Sequence, residues 1–541
     1  MFVQITKSGR GEKKYVSYLV RESFRTPQGP RSRTVCNITG LPADLRQVIA
    51  QALQGRPVVS VEQLQLENAL NYGGLAVLRD AWNRFSLDNL LAAIPGERDR
   101  GLIQAMIFGR LLFPGAKLAL AQQAQGTLLA QSCGLRADES FDENDLYAAM
   151  DQFNGRWVAM EKALYQKAFP ERVRLVLYDL TSVYFEGKGP QGLSLYGHSR
   201  DHRSDRPQII LAVATDLEGL PIHLEVLRGN RADNTTLTGL LATLQRRFQI
   251  KEALFVFDGG MSSRLNLEAL SAARLEYVTR LSSATLTALL AELPAESQPE
   301  LGDRQNLIEV QHGAKRYIIA GGPWRQQRDQ DRRQSRVQKA QTELKRLAAV
   351  RRKKVNAQKL ASQVGRMLER KKAHKYFNYR VDEQGQLIWE QKPEIFRQEE
   401  RLDGWYLLHT NASAQTVAKE QVLGHYKGLL DIEEAFGELK SYLEVRPVFH
   451  WRPDRVRNHV RICFLAYWLS ARLGREWRSK QESGEVPRLL REWQTIRVGR
   501  LQAAGKLVAT LLAEIPSHFN EQLSKLDLLK LFAQPPAWAK M

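Results

Sequence analysis

Cysteine is scarce in this chain. Its 541 residues hold three, Cys36, Cys133 and Cys463, with no Cys-x-x-Cys pair among them. Neither a disulfide framework nor a zinc site is expected, which fits a reducing cytosol. Long apolar runs are lacking as well. The longest, Ile462–Leu469 (ICFLAYWL), is far shorter than the roughly 20 residues a membrane span needs. The opening MFVQITKSGRGEKKY has no apolar stretch of the kind that directs export, so the sequence predicts a soluble, cytoplasmic protein with no membrane partner. Acidic residues are in deficit. Asp and Glu number 59 against 79 Lys and Arg, a net charge of +20, and that excess favours a polyanionic partner, most commonly nucleic acid.

What is present reads as several units, since about 100–200 residues per domain puts three to five in a chain this long. Residues 13–40 alternate around Pro27-Gln28-Gly29-Pro30 and predict a basic hairpin. Helical periodicity then takes over. A run over Leu102–Leu112 stops at Pro114-Gly115, a second helix follows from Ala116, and Ser140-Phe141-Asp142 precedes a third over Asn144–Phe153. These helices suit either a helix-turn-helix reader of DNA or a plain bundle. Strand signals return at 173–179, 207–216 and 220–227, with the tight turn Asp216–Gly219 between the last two, and read as an antiparallel meander. A helix near Asn234–Phe248 leads into a fourth strand at 253–258. This β-β-β-α-β order predicts an α/β core of RNase H-like type, a mixed sheet flanked by helices with the first and fourth strands side by side.

Between residues 325 and 380 lie 19 Lys and Arg against 4 Asp and Glu, so 15 of the net +20 falls in a tenth of the chain. Val337, Ala340, Leu344 and Leu347, then Leu360, Val364 and Met367, keep a spacing of three to four that predicts two long helices, a helical hairpin. Charge of one sign repels itself without a counter-surface, so this segment, with Arg351, Arg352, Lys353 and Lys354 at its centre, is expected to contact DNA.

Chemistry enters with three carboxylates. The strands VRLVLYD (173–179) and ALFVFD (253–258) each end on an aspartate, Asp179 and Asp258, and far downstream comes the helix YKGLLDIEEAFGELK (426–440). At 100° per residue Tyr426, Leu429, Glu433 and Lys440 share an arc of about 60°, while Ile432, Phe436, Leu439 and Leu443 form a neighbouring apolar stripe suited to docking on a sheet. Asp179, Asp258 and Glu433 thus read as a split metal site. Two divalent cations about 3.5–4 Å apart can activate a water or a sugar hydroxyl and stabilise the leaving oxygen of a phosphodiester.

At these residues the chain resembles the DDE transposases of bacterial insertion sequences, in the group with a Tyr-x2-Arg-x3-Glu-x6-Lys signature. Tyr426, Glu433 and Lys440 match that spacing, and Leu429 stands where the signature has arginine. YDLTSVYF (178–185), YGHSRDHRSD (196–205), GNRAD (229–233), FDGGMSS (257–263), DGWYLLHTN (403–411) and the run at 446–466 add to the likeness, which covers roughly 170–475. The resemblance implies that Asp179, Asp258 and Glu433 bind two Mg²⁺ or Mn²⁺ ions, that Tyr426 and Lys440 contact DNA, and that the basic segment lies in an insertion domain. It divides the chain into an N-terminal region (1–57), a helical domain that meets the transposon end (58–168), two parts of the catalytic core (169–270 and 401–475) around the insertion (271–400), and a helical C-terminal region (476–541). The implied activity is cut-and-paste transposition by a homodimer on transposon-end and target DNA, in the nucleoid. A domesticated DNA-binding protein, or a metal-dependent nuclease without strand transfer, would share much of this sequence. His450 and His459 lie near the site in sequence and read as structural hydrogen-bonding residues.

Overall fold

The computed structural model describes the chain apart from residues 10–14, 57, 59–60, 137, 202, 295–300, 302–306, 350–355, 430–431, 433–435, 438–439, 441–442, 444, 447, 481, 483, 504–505 and 540–541. It divides into two compact units, one of Met1–Phe85, Leu118–Asp142 and Trp477–Met541, the other of Ser86–Lys117 and Glu143–Glu476.

In the first unit the expected hairpin pairs Tyr15–Thr26 with Gly29–Asn37, and Phe2–Ser8 adds a third antiparallel strand. A second three-stranded sheet joins Gln65–Asn71 to Arg497–Ala503 and Lys506–Leu512. All three cysteines of the chain are free.

The second unit is built on eight strands, numbered within their sheet: β1 Leu175–Tyr184, β2 Gln208–Thr215, β3 Pro221–Arg228, β4 Leu254–Phe257, β5 Glu276–Leu281, β6 Leu307–His312, β7 Lys315–Gly321 and β8 Trp405–Thr410. Their order in space is β6-β7-β8-β5-β4-β1-β2-β3. The meander β1-β2-β3 is antiparallel, and β4 lies parallel to β1, as the sequence order predicts. The meander's second turn closes because the Asp216 carboxylate accepts from the amides of Glu218 and Leu220 while Gly219 takes a left-handed φ of 81°. Parallel neighbours need a covered crossover. The helix Leu237–Phe248 supplies it, burying Leu237, Leu240, Leu241 and Leu244 against Val176, Tyr178, Phe255 and Phe257 of the sheet.

The basic segment forms two helices, Pro323–Ala349 and Ala357–Arg370, the second capped by the Asn356 side chain. Their apolar stripe is buried as its spacing predicts. Val337, Ala340, Leu344 and Leu347 pack with Leu360, Val364, Met367 and, from beyond the helices, Tyr376, Phe377 and Leu387 in a core of their own. No single helix among the described residues is long and apolar enough to cross a membrane.

Candidate active site

On β1, Val176, Tyr178 and Leu180 enter the apolar cluster under the crossover helix. Strand alternation therefore turns Leu177, Asp179 and Thr181 to the other face. The parallel register sets Tyr178 opposite Phe257, and the residue after each is an aspartate. Asp179 and Asp258 thus stand side by side at one level of two neighbouring strands. The residue after Asp258 has to be small: a Cβ at Gly259 would come within 2.6 Å of the Arg280 carbonyl oxygen on β5.

Both carboxylates open on a cleft of about 940 Å³ that Tyr426, Leu429, Phe436 and Lys440 also line. Tyr426 lies in the last turn of the helix Lys419–Lys427. Gly428 caps that helix, where a Cβ would lie 3.0 Å from Leu217 Cδ1 and 3.5 Å from Leu177 Cδ1. Glycine there lets this segment settle closely on the sheet face that bears Asp179. Ile432 and Leu443 are fully buried, so the described part of the apolar stripe packs as its spacing predicts. The Tyr426 hydroxyl donates to Asp258 Oδ1 over 3.3 Å, and burial together with that carboxylate pushes the phenol well above its usual range.

A loop completes the cleft. A Cβ at Gly197 would meet the Gly229 carbonyl oxygen at 2.2 Å, and the Gln208 side-chain amide donates both to that oxygen and to the His198 carbonyl, at 2.9 and 3.0 Å. The YGHSRD and GNRAD segments are thereby held together. Ser182 Oγ accepts from the Arg200 amide at 3.0 Å, and the Arg200 guanidinium pairs with Asp233 at 2.7 Å. Asp201 receives Lys440 at 2.9 Å and Arg446 at 3.0 Å. Lys440 is thus engaged with a carboxylate of this loop, and burial holds its amine below the ordinary value despite that partner.

Of the residues singled out in the sequence, Asp179, Asp258, Tyr426 and Lys440 meet in this cleft. Glu433, Arg351, Arg352, Lys353 and Lys354 lie outside the described residues. No group of three or more His, Cys, Asp or Glu side chains suited to a metal ion occurs among the described residues. The cleft also gathers Arg200, Asp201, Arg280, Arg325 and Tyr406, none of which sequence reasoning selected as a site residue. Arg200 and Asp201 sit in a motif noticed for its likeness alone, and Arg280 ends an unremarkable strand. His459 makes structural bonds, with Lys117 Nζ at 3.0 Å and the Val445 carbonyl at 3.1 Å.

Residues 171–469, more than half of the chain and all eight strands of the sheet, match the family model described as the transposase DDE domain. Among solved structures, a piggyBac transposase synaptic complex with hairpin DNA is similar at 7% identity and a TM-score of 0.37, with 78% of this chain and 80% of that chain covered. A Mos1 transposase paired-end complex with the left transposon end is similar at 15% identity and a TM-score of 0.15, covering 44% of this chain and 68% of that one. No curated protein matches. With its RNase H-like mixed sheet and the matched span enclosing the carboxylate cleft, the chain belongs to the transposase DDE domain family.

Proposed function

We propose that this transposase cleaves the ends of its element and joins the freed 3′ hydroxyls to target DNA, with Asp179, Asp258 and Glu433 as its carboxylate triad. The observation that carries the reading is the placement of Asp179 and Asp258 on adjacent parallel strands, open to a cleft lined by Tyr426, Leu429 and Lys440. A donor set of carboxylate oxygens suits a hard divalent cation such as Mg²⁺ or Mn²⁺. Asp179 and Asp258 would hold two such ions together with Glu433. When bound, the pair supplies activation of a water or 3′ hydroxyl and stabilisation of the leaving oxygen.

The chain's own residues do the positioning. Tyr426 fixes the Asp258 carboxylate through its hydroxyl, and Lys440 and Arg446 lock Asp201 and with it the loop that carries Arg200. The charge of +20 suits the DNA on which these residues act. Two ends must be held together, so a homodimer assembles on DNA.

The test is incubation of protein, element-end duplex, plasmid target and Mg²⁺. Joined products are expected. Cut but unjoined ends would indicate a nuclease, and a shifted band without cutting would indicate a DNA-binding protein. Asp179→Asn, Asp258→Asn and Glu433→Gln should each abolish cleavage while end binding persists, because each keeps side-chain size and removes a charged ligand. Near-normal cleavage by Glu433→Gln would move the third ligand elsewhere, with Glu434 first to be tried.

A further inference from the structure

Arg280 on β5 and Arg325, in the first turn of the helix Pro323–Ala349, line the carboxylate cleft. Both guanidiniums lie over the ring of Tyr406, Arg325 at 4.9 Å and Arg280 at 5.8 Å from its centroid. Tyr406 packs 6.2 Å from Tyr426, whose hydroxyl bonds Asp258. The arginines are therefore tied through two neighbouring rings to the carboxylates. The Arg325 side chain is 13% exposed, and Asp329 stands 3.7 Å from its Nε, too far for a hydrogen bond. That Nε has no hydrogen-bond partner among the described residues. Burial, then the charge of Arg280, holds the Arg325 guanidinium below its usual range. A cation that is desolvated, repelled and short of acceptors is stabilised by an arriving anion, and a guanidinium stacked on a ring presents its remaining edge to phosphate.

Arg280 and Arg325 also line a second cleft of about 620 Å³ whose walls carry Arg332, Arg336 and Lys375. The two clefts meet at these shared residues. Arg325, Arg332 and Arg336 recur at turn spacing on one helix face, a line of positive charge about 16 Å long at 1.5 Å per residue. A single small anion would need one such group. A row of them fits a chain of regularly spaced anions.

We propose that Arg325, stacked on Tyr406 and flanked by Arg280, grips a backbone phosphate of the DNA strand whose reacting bond lies at Asp179 and Asp258, and that this strand continues past Arg332 and Arg336 through the second cleft. The proposal rests on the transposase reading. It also gives the cleft the cationic grip that Leu429 does not provide.

The test uses the full-length protein, without metal, and a fluorescent duplex spanning the boundary of the DNA element that carries this gene. The Arg280→Gln/Arg325→Gln double variant should bind it about tenfold or more weakly. Its plot of log K against log salt should be shallower by about 1.8, at roughly 0.9 per phosphate contact. Arg325→Lys should recover the slope but only part of the affinity, since it keeps charge and loses the planar stack. A second measurement does not depend on how the double variant folds. In a scan of single neutral methylphosphonates along the probe, positions next to the reacting bond should weaken wild-type binding and lose that effect in Arg325→Gln. Wild-type affinity and slope in the double variant, or equal methylphosphonate effects in both proteins, would overturn the grip and leave the transposase reading standing. A wild-type protein that does not bind the duplex would overturn both.

Discussion

Leu429 lines the carboxylate cleft one helical turn after Tyr426 and is only half-buried. A side chain there can extend along the cleft instead of displacing core, so Leu429→Arg should be accepted sterically. Its guanidinium would reach toward phosphate and add a charge-assisted contact. Binding of cleaved ends at low salt should tighten by about tenfold, a change of roughly 1.4 kcal/mol, with the DNA-free melting temperature within about 2 °C of wild type. A clear fall in melting temperature would instead place Leu429 in the packed stripe, where an unpaired guanidinium is costly. The sequence made the carboxylate half of the cleft visible, because an apolar strand that stops on an aspartate is a local pattern and helical periodicity sorts Tyr426 from Ile432. The cationic half was not visible. Arg280, Arg325 and Tyr406 come from three elements whose nearness follows from strand pairing across more than a hundred residues, and nothing in their local spacing marks them.

Among the elements, the basic helical hairpin was the most legible, since two helices with one apolar stripe each can bury it only against each other or a neighbour. Its partners Tyr376, Phe377 and Leu387 were not, because they lie beyond the periodic segment. The long polar faces add little packing, so the stability of this element rests on that small core. Leu344 is fully buried in it. Leu344→Ala should cost about 2–5 kcal/mol, and the loss should be local, because the cluster is separate from the one beneath β1 and β4. Hydrogen exchange is expected to rise first across 337–391 while amides of β1 and β4 stay protected. Uniform loss of protection would show that the hairpin and the central sheet unfold as one.

Over the whole molecule, acid should act through buried histidines before it reaches the carboxylates. Burial, with Lys315 adding to it, lowers His409 to about 4, and burial with Lys117, Arg110 and Arg455 lowers His450 to about 3. His459, fully buried beside Lys117, is also held well below its ordinary value. Each is neutral in the folded chain and takes up a proton on unfolding once pH falls below about 6.5. The unfolded state then binds more protons, so stability rises with pH across the window from each folded value up to about 6.5, by roughly 1.4 kcal/mol per unit for each group. Asp403, raised by burial beside Arg333, opposes this only just above its own ordinary range. The melting temperature should therefore fall from pH 7 to pH 5 through the histidines alone. His409 isolates the effect: it is 5% exposed, its Nδ1 has no hydrogen-bond partner among the described residues, and its ring packs on Tyr317 and Tyr277 at 5.0 and 5.3 Å. His409→Phe keeps a ring in that stack and removes the proton site. Its stability should vary less steeply with pH between about 4 and 6.5, by close to one histidine's share, with the difference between the two proteins constant above pH 7. Identical slopes in wild type and variant would show that His409 is already protonated in the fold, and would shift the acid sensitivity to the Lys117, His450 and His459 cluster.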